Sequence, residues 1–130
     1  MSGQNFDVLP EEQFRYLLEH ECKCALRYQY FFSLLMLQLE NLESQLPLLT
    51  EIPSLIKNVI RNSDTIGAIQ YNKLAILLCC ADKPNSIARR ILNEIEHKIP
   101  HIKIKVGEAC FPVNATTAKD LFRESLDRLF

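Results

Sequence analysis

The stretch Phe31-Phe32-Ser33-Leu34-Leu35-Met36-Leu37-Gln38-Leu39 decides the fold. It is almost continuously apolar, without the alternation of a strand that shows one face to water. Its length suits a strand rather than a long helix. Such a segment reads as a central strand covered on both faces, and the rest of the chain must supply the covers. Upstream, Glu11 to Gln29 reads as a helix, with Phe14, Leu17, Leu18, Glu21, Ala25 and Tyr28 recurring near the helical period. Met1 to Pro10 before it reads as a flexible N-terminal lead-in.

Downstream, Glu40 to Pro53 has two prolines and no clean period, and Leu55, Ile56, Val59 and Ile60 mark a short helix ending near Arg61. Asp64 to Ile69 and Leu74 to Cys80 are strand-like, and the residues between them are few enough for a hairpin. After turn residues at Asp82 to Ser86, Ile87, Ile91, Ile95 and Ile99 recur along a helix that Pro100 stops. Ile102, Ile104 and Val106 alternate with lysines, the pattern of a half-exposed strand. Lys103 and Lys105 there suit the protection of an exposed face or edge. A last helix from about Thr117 offers Leu121, Phe122, Leu126, Leu129 and Phe130 as its apolar face. The expected class is α+β: one domain over residues 1–130 with a βαββαβ-type core sheet, flanking helices and an N-terminal helix.

Composition excludes several functions. Lys and Arg total 15 against 16 Asp and Glu, so the net charge of -1 gives no general attraction for nucleic acid. The apolar run from Tyr30 to Leu37 is about eight residues, short of the roughly 20 that a membrane-spanning helix needs. The first ten residues lack the basic start and apolar stretch of a secretory signal, so a cytoplasmic location is expected, with reduced cysteines. Three glycines leave no phosphate-cradling loop of the Walker or Rossmann type. The 5 cysteines are an odd number without paired C-x-x-C spacing, and no metal site is expected. On a helix His20 and Cys24 share a face while Cys22 points elsewhere. Cys79 and Cys80 project to opposite sides of a strand, so at least one serves as a small buried hydrophobe. His97 and His101 flank Pro100 as exposed or helix-terminal residues without an expected catalytic role.

The order of these pieces resembles a GGDEF domain, the fold of enzymes that join two GTP molecules into cyclic di-GMP. The resemblance rests on Arg27-Tyr28 followed by Ser33 to Leu37, on Ile60-Arg61-Asn62-Ser63-Asp64, and on Leu74 to Leu78 after the hairpin. It continues through Ile87-Ala88-Arg89-Arg90-Ile91 and Ile104 to Ala109. It implies a GGDEF or nucleotide-cyclase-like sheet with the family's signature turn on Gln70-Tyr71-Asn72-Lys73-Leu74. Gln70 and Tyr71 then replace glycines that let the backbone approach a guanine nucleotide closely. Asn72 and Lys73 replace an acidic pair that includes a metal ligand, and Gln38 stands where the other metal carboxylate is expected. Glu40, two residues on, is one acid and not a two-metal site. A lysine ammonium about 4 Å from a divalent ion opposes it by roughly 8 kcal/mol at an effective dielectric near 20. Phosphoryl transfer depends on such ions, so the resemblance implies a non-enzyme with no catalytic residues and no cofactor.

The family's product-inhibition motif, Arg-x-x-Asp ending five residues before the signature turn, falls on Arg61 and Asp64, with Arg90 as a second arginine from the next helix. A guanidinium binds phosphate or a guanine edge bidentately, and a carboxylate accepts from guanine N1 and N2. The same residues have a purely structural use: Arg61 capping its helix and Asp64 opening the hairpin. Two partner classes therefore stand, cyclic di-GMP, or a protein partner or second copy meeting the N-terminal helix or Phe111, Phe122 and Phe130. In both, the domain is regulatory.

Overall fold

The computed structural model describes residues 8–40, 51–70, 72–79 and 84–129. In chain order the elements are β1 (Val8–Pro10), α1 (Glu11–Tyr28), β2 (Phe32–Glu40), α2 (Ile52–Lys57) and β3 (Thr65–Ile69). They continue with β4 (Lys73–Cys79), α3 (Pro84–Lys98), β5 (Lys103–Phe111) and α4 (Ala118–Asp127). The sheet order is β1-β3-β4-β2-β5. Neighbours from β3 to β5 are antiparallel and β1 alone is parallel, to β3. This is an α+β fold with the expected βαββαβ core.

β2 is the centre of the sheet. Leu35 lies opposite Ile76 of β4 on one side and Glu108 of β5 on the other. Every residue from Phe32 to Leu37 is buried, because successive side chains enter different layers. Leu35, Leu37 and Leu39 join Ile52 and Ile56 of α2 and Ile91 and Ile95 of α3. Phe32, Leu34 and Met36 join Phe14 and Leu18 of α1 and Leu121 and Phe122 of α4. The continuous apolar run is thus two alternating stripes, each with its own helical cover.

Of the expected flexible lead-in, residues 1–7 lie outside the described residues, and the last three depart from the expectation. Val8–Pro10 is not flexible chain but an edge strand, with Val8 opposite Ile66 and Pro10 opposite Ala68. Three residues hold no legible period, and their partner is remote in sequence. Pro10 ends the strand, where a missing ladder donor is tolerated. α2 starts earlier than the apolar pattern implied and ends at Lys57, with Asn58 to Ile60 forming a turn after it. In α1, Cys22 takes the buried position that the sequence assigns to Tyr28, which is exposed. α1 stops at Gln29, whose left-handed φ of 58° lets its N–H donate back to Ala25 O. Thr117 caps α4, its hydroxyl accepting from Asp120 N at 3.1 Å. Phe130 lies outside the described residues. Among those residues no helix is long and apolar enough to cross a membrane.

Gly67 sets how closely α1 can approach the sheet. A Cβ at this position would strike the Phe14 ring, so the bare backbone of β3 is what seats Phe14. Gly67→Ala is expected to lower stability by about 1–3 kcal/mol through overpacking. In urea unfolding the midpoint should fall while the slope stays unchanged.

Candidate functional site

Two regions named by the sequence lie at opposite ends of the β3–β4 hairpin, about 17 Å apart along five strand residues. The first is the turn after Ile69. Ile69 pairs with Lys73, which leaves three residues in the loop, of which Tyr71 lies outside the described set. Gln70 has φ 56°, in the left-handed region that glycine adopts freely and that costs other residues roughly 1–2 kcal/mol. The turn is held locally. Gln70 N donates to Glu11 Oε1 at 3.1 Å, and Lys73 Nζ donates to Gln70 Oε1 at 3.0 Å. Lys73 Nζ also donates to Asn72 Oδ1 at 3.4 Å, while Asn72 O accepts from Leu39 N at 2.8 Å.

Gln38 stands directly across from Lys73 in the β2–β4 register, so an amide and an ammonium are cross-strand neighbours beside the turn. Glu40, two residues on from Gln38, is engaged: its Oε2 accepts from Gln38 Nε2 at 3.4 Å and lies 3.4 Å from Lys105 Nζ. Among the described residues no group of three His, Cys, Asp or Glu could hold a metal ion.

The second region is the turn from Arg61 to Asp64. Asp64 is buried, at 3% exposure. Its Oδ2 accepts from Arg61 N at 2.9 Å and its Oδ1 from Cys79 N at 3.0 Å. The Arg61 side chain is 62% exposed, lies 3.9 Å from Asp64 Oδ2 and donates from Nη2 to Cys79 O at 2.6 Å. Arg61 and Asp64 therefore do converge, around the backbone of Cys79. That residue was not legible as part of the site, because its contacts to Arg61 and Asp64 use its peptide groups, which any residue carries; its thiol also donates to Ser63 O at 3.2 Å. Arg90 is exposed on α3. Asn58 Nδ2 donates to Glu94 Oε2 at 3.5 Å, so the chain leading into Arg61 lies against α3 one turn beyond Arg90.

The remaining candidates are structural. His20 Nε2 and Cys24 Sγ are 3.5 Å apart on the outer side of α1, while Cys22 points into the core, as helical geometry requires. Burial, aided by the nearby Glu21 and Glu19 carboxylates, pushes the Cys22 thiol up to about 11 from 9.0. Tyr30 donates to Glu21 Oε2 at 2.6 Å, and burial and that bond raise its pKa.

No family model matches the chain by sequence, and no curated protein matches it. Solved structures do. A DGC protein from Thermotoga maritima superposes with a TM-score of 0.84 at 16% identity, over 95% of this chain and 96% of that one. The FimX GGDEF domain from Pseudomonas aeruginosa gives 0.81 at 14% identity, over 98% and 91%. A microbial GGDEF domain described in a novel interaction mode with cyclic di-GMP gives 0.74 at 16%, over 92% and 81%. The chain has the fold of GGDEF domains.

Three outcomes follow from this geometry. Asp64→Asn leaves one buried backbone N–H facing an amide that cannot accept from it, so stability should drop by about 1–3 kcal/mol in chemical denaturation. Arg61→Ala, which removes an exposed side chain, should cost under about 1 kcal/mol. Alkylation at pH 8 should modify Cys24 well before Cys22, whose thiol remains protonated there, and the Cys22 rate should rise as pH approaches 11.

Proposed function

We propose that the chain is a regulatory GGDEF-like domain without cyclase chemistry. The observation that carries this reading is the pairing of Gln38 with Lys73 at the mouth of the hairpin. Joining two GTP molecules needs carboxylates to hold the metal ions that neutralise charge on the transferring phosphoryl group. Here the cross-strand pair offers an amide and a fixed positive charge. Gln70 retains a glycine-like backbone shape, but its side chain is tied to Lys73 above the turn where a nucleotide would need open backbone.

The ligand in this reading is cyclic di-GMP, with Arg61 and Arg90 supplying cations to its phosphates or guanine edges and Asp64 fixing the turn that presents Arg61. The exposed Arg61 guanidinium supports this role, and so does a fold shared with a GGDEF domain described with that dinucleotide. A second reading is favoured by Asp64 itself. With both oxygens accepting backbone N–H groups, its carboxylate serves the fold first, which suits a module that keeps the architecture for protein contacts alone. Phe111 and Phe122, expected at such an interface, are buried in the core instead, so the apolar surface of that module is the exposed Tyr16, Leu26 and Tyr28 of α1 with Phe31.

Calorimetry separates the two. Cyclic di-GMP should bind the wild type with micromolar affinity, and Arg61→Ala should weaken it at least tenfold, about 1.4 kcal/mol. Absence of heat at high micromolar dinucleotide would reject the receptor and leave the protein-contact module. Turnover of magnesium GTP into cyclic dinucleotide would reject both.

A further inference from the structure

The fold uses one side of α1 and leaves the other bare. Phe14, Leu18, Cys22 and Ala25 are buried in the core. On the outer side Glu12, Tyr16, Glu19, Lys23 and Leu26 are all exposed, Tyr16 at 75% and Leu26 at 71%. These positions advance by four, three, four and three residues, and on a helix of about 3.6 residues per turn they fall within about 80° of arc. An average step of about 3.5 residues is the spacing of a coiled-coil seam.

The stripe is complementary to itself in one direction only. Positions 16 and 26 share a midpoint with positions 19 and 23, at residue 21. An antiparallel copy centred there sets Tyr16 beside Leu26 and Glu19 beside Lys23, and the two-fold axis repeats both layers. A parallel copy would set Glu19 on Glu19 and Lys23 on Lys23, which is repulsive in both layers. Glu12 falls past the end of the opposing helix, since α1 stops at Tyr28.

The charges in those layers are not committed elsewhere. Glu19 and Lys23 stand four apart on one helix, but make no ion pair with each other or with any described residue. The flanking charges are engaged: Arg15 holds Glu11 at 2.9 Å, Glu21 accepts from Tyr30 at 2.6 Å, and the Arg27 guanidinium lies 5.6 Å from the Tyr28 ring centre. A different partner would have to present an apolar, a basic, an acidic and an apolar group in that order at this spacing. The second copy, run in reverse, presents them.

We propose that α1 pairs with α1 of a second copy, antiparallel about a two-fold axis level with residue 21, so that Tyr16 packs on Leu26 of the second copy and Glu19 pairs with its Lys23. This names the partner of the protein-contact reading and rests on that reading's use of α1. A single helix pair lies at the low end of specific interfaces, under about 1,200 Å² in total, so the expected dissociation constant is about 10–100 μM.

Sedimentation of the full chain from about 1 μM to about 1 mM tests it, with a reversible equilibrium of monomer and dimer expected. Glu19→Lys and Lys23→Glu, both exposed substitutions, should each weaken the dimer by about tenfold or more. Carried together in one chain they restore both pairs with the signs exchanged, so the double variant should return to within about threefold of the wild type. The two single variants mixed should form a heterodimer tighter than either homodimer. A monomer at millimolar protein, a dimer indifferent to the single substitutions, or a double variant as weak as the single ones would each overturn the proposal. Cyclic di-GMP binding by a protein that still dimerises through these residues would instead overturn the reading of protein contacts alone and leave the dimer standing.

Discussion

The burial of β2 on both faces is the constraint from which the rest of the architecture follows. A strand whose consecutive residues from Phe32 to Leu37 are all shielded from water requires a helical layer above and below it and a strand on each side. β4 and β5 provide the sides, α2 and α3 one cover, α1 and α4 the other. Two glycines set how close the second cover comes. Phe14 rests on the bare backbone at Gly67, and the end of α4 rests on Gly107. Each closes a contact that a methyl group would hold open, so the α1–α4 layer depends on the absence of two side chains as much as on the apolar ones present.

That frame also fixes where chemistry can sit. With β2, β3 and β4 fully paired and covered, polar side chains are left to the strand ends and to the outer edges of the sheet. At one end of the β3–β4 hairpin the turn keeps a backbone shape natural to glycine while carrying Gln70, and the cross-strand pair beneath it is Gln38 with Lys73. At the other end Asp64 spends a buried carboxylate on two peptide N–H groups, and the neighbouring Arg61 is left largely in water. The same two residues thus divide the work between holding the turn and facing outward.

Much of this was legible beforehand, and the failures share a cause. The order of the core strands and helices could be read because each has a period or a stop signal of its own, as in Ile91 and Ile95 on α3 or Thr117 before α4. Val8–Pro10 could not, since a three-residue strand is defined by its partner rather than by its pattern. Cys79 escaped notice at the Arg61 turn because what matters there is its peptide group. Cys22 displaced Tyr28 from the buried face of α1 because burial depends on which side of the helix meets the sheet, and periodicity alone leaves that direction open within a residue or two.

What the sequence determined by itself is the set of elements and the chemistry at the hairpin: the two-sided apolar strand, the helical periods, and an amide and an ammonium at positions that the GGDEF resemblance assigns to acids. Those properties are local to the chain and survive without knowledge of any contact. Only the tertiary structure decided that Gln38 and Lys73 face each other, that Asp64 is enclosed, and that α3 and the chain after α4 flank the outer edge of β5. Each of these joins residues far apart in sequence, and pairing across such distances is set by how the two layers close over the sheet.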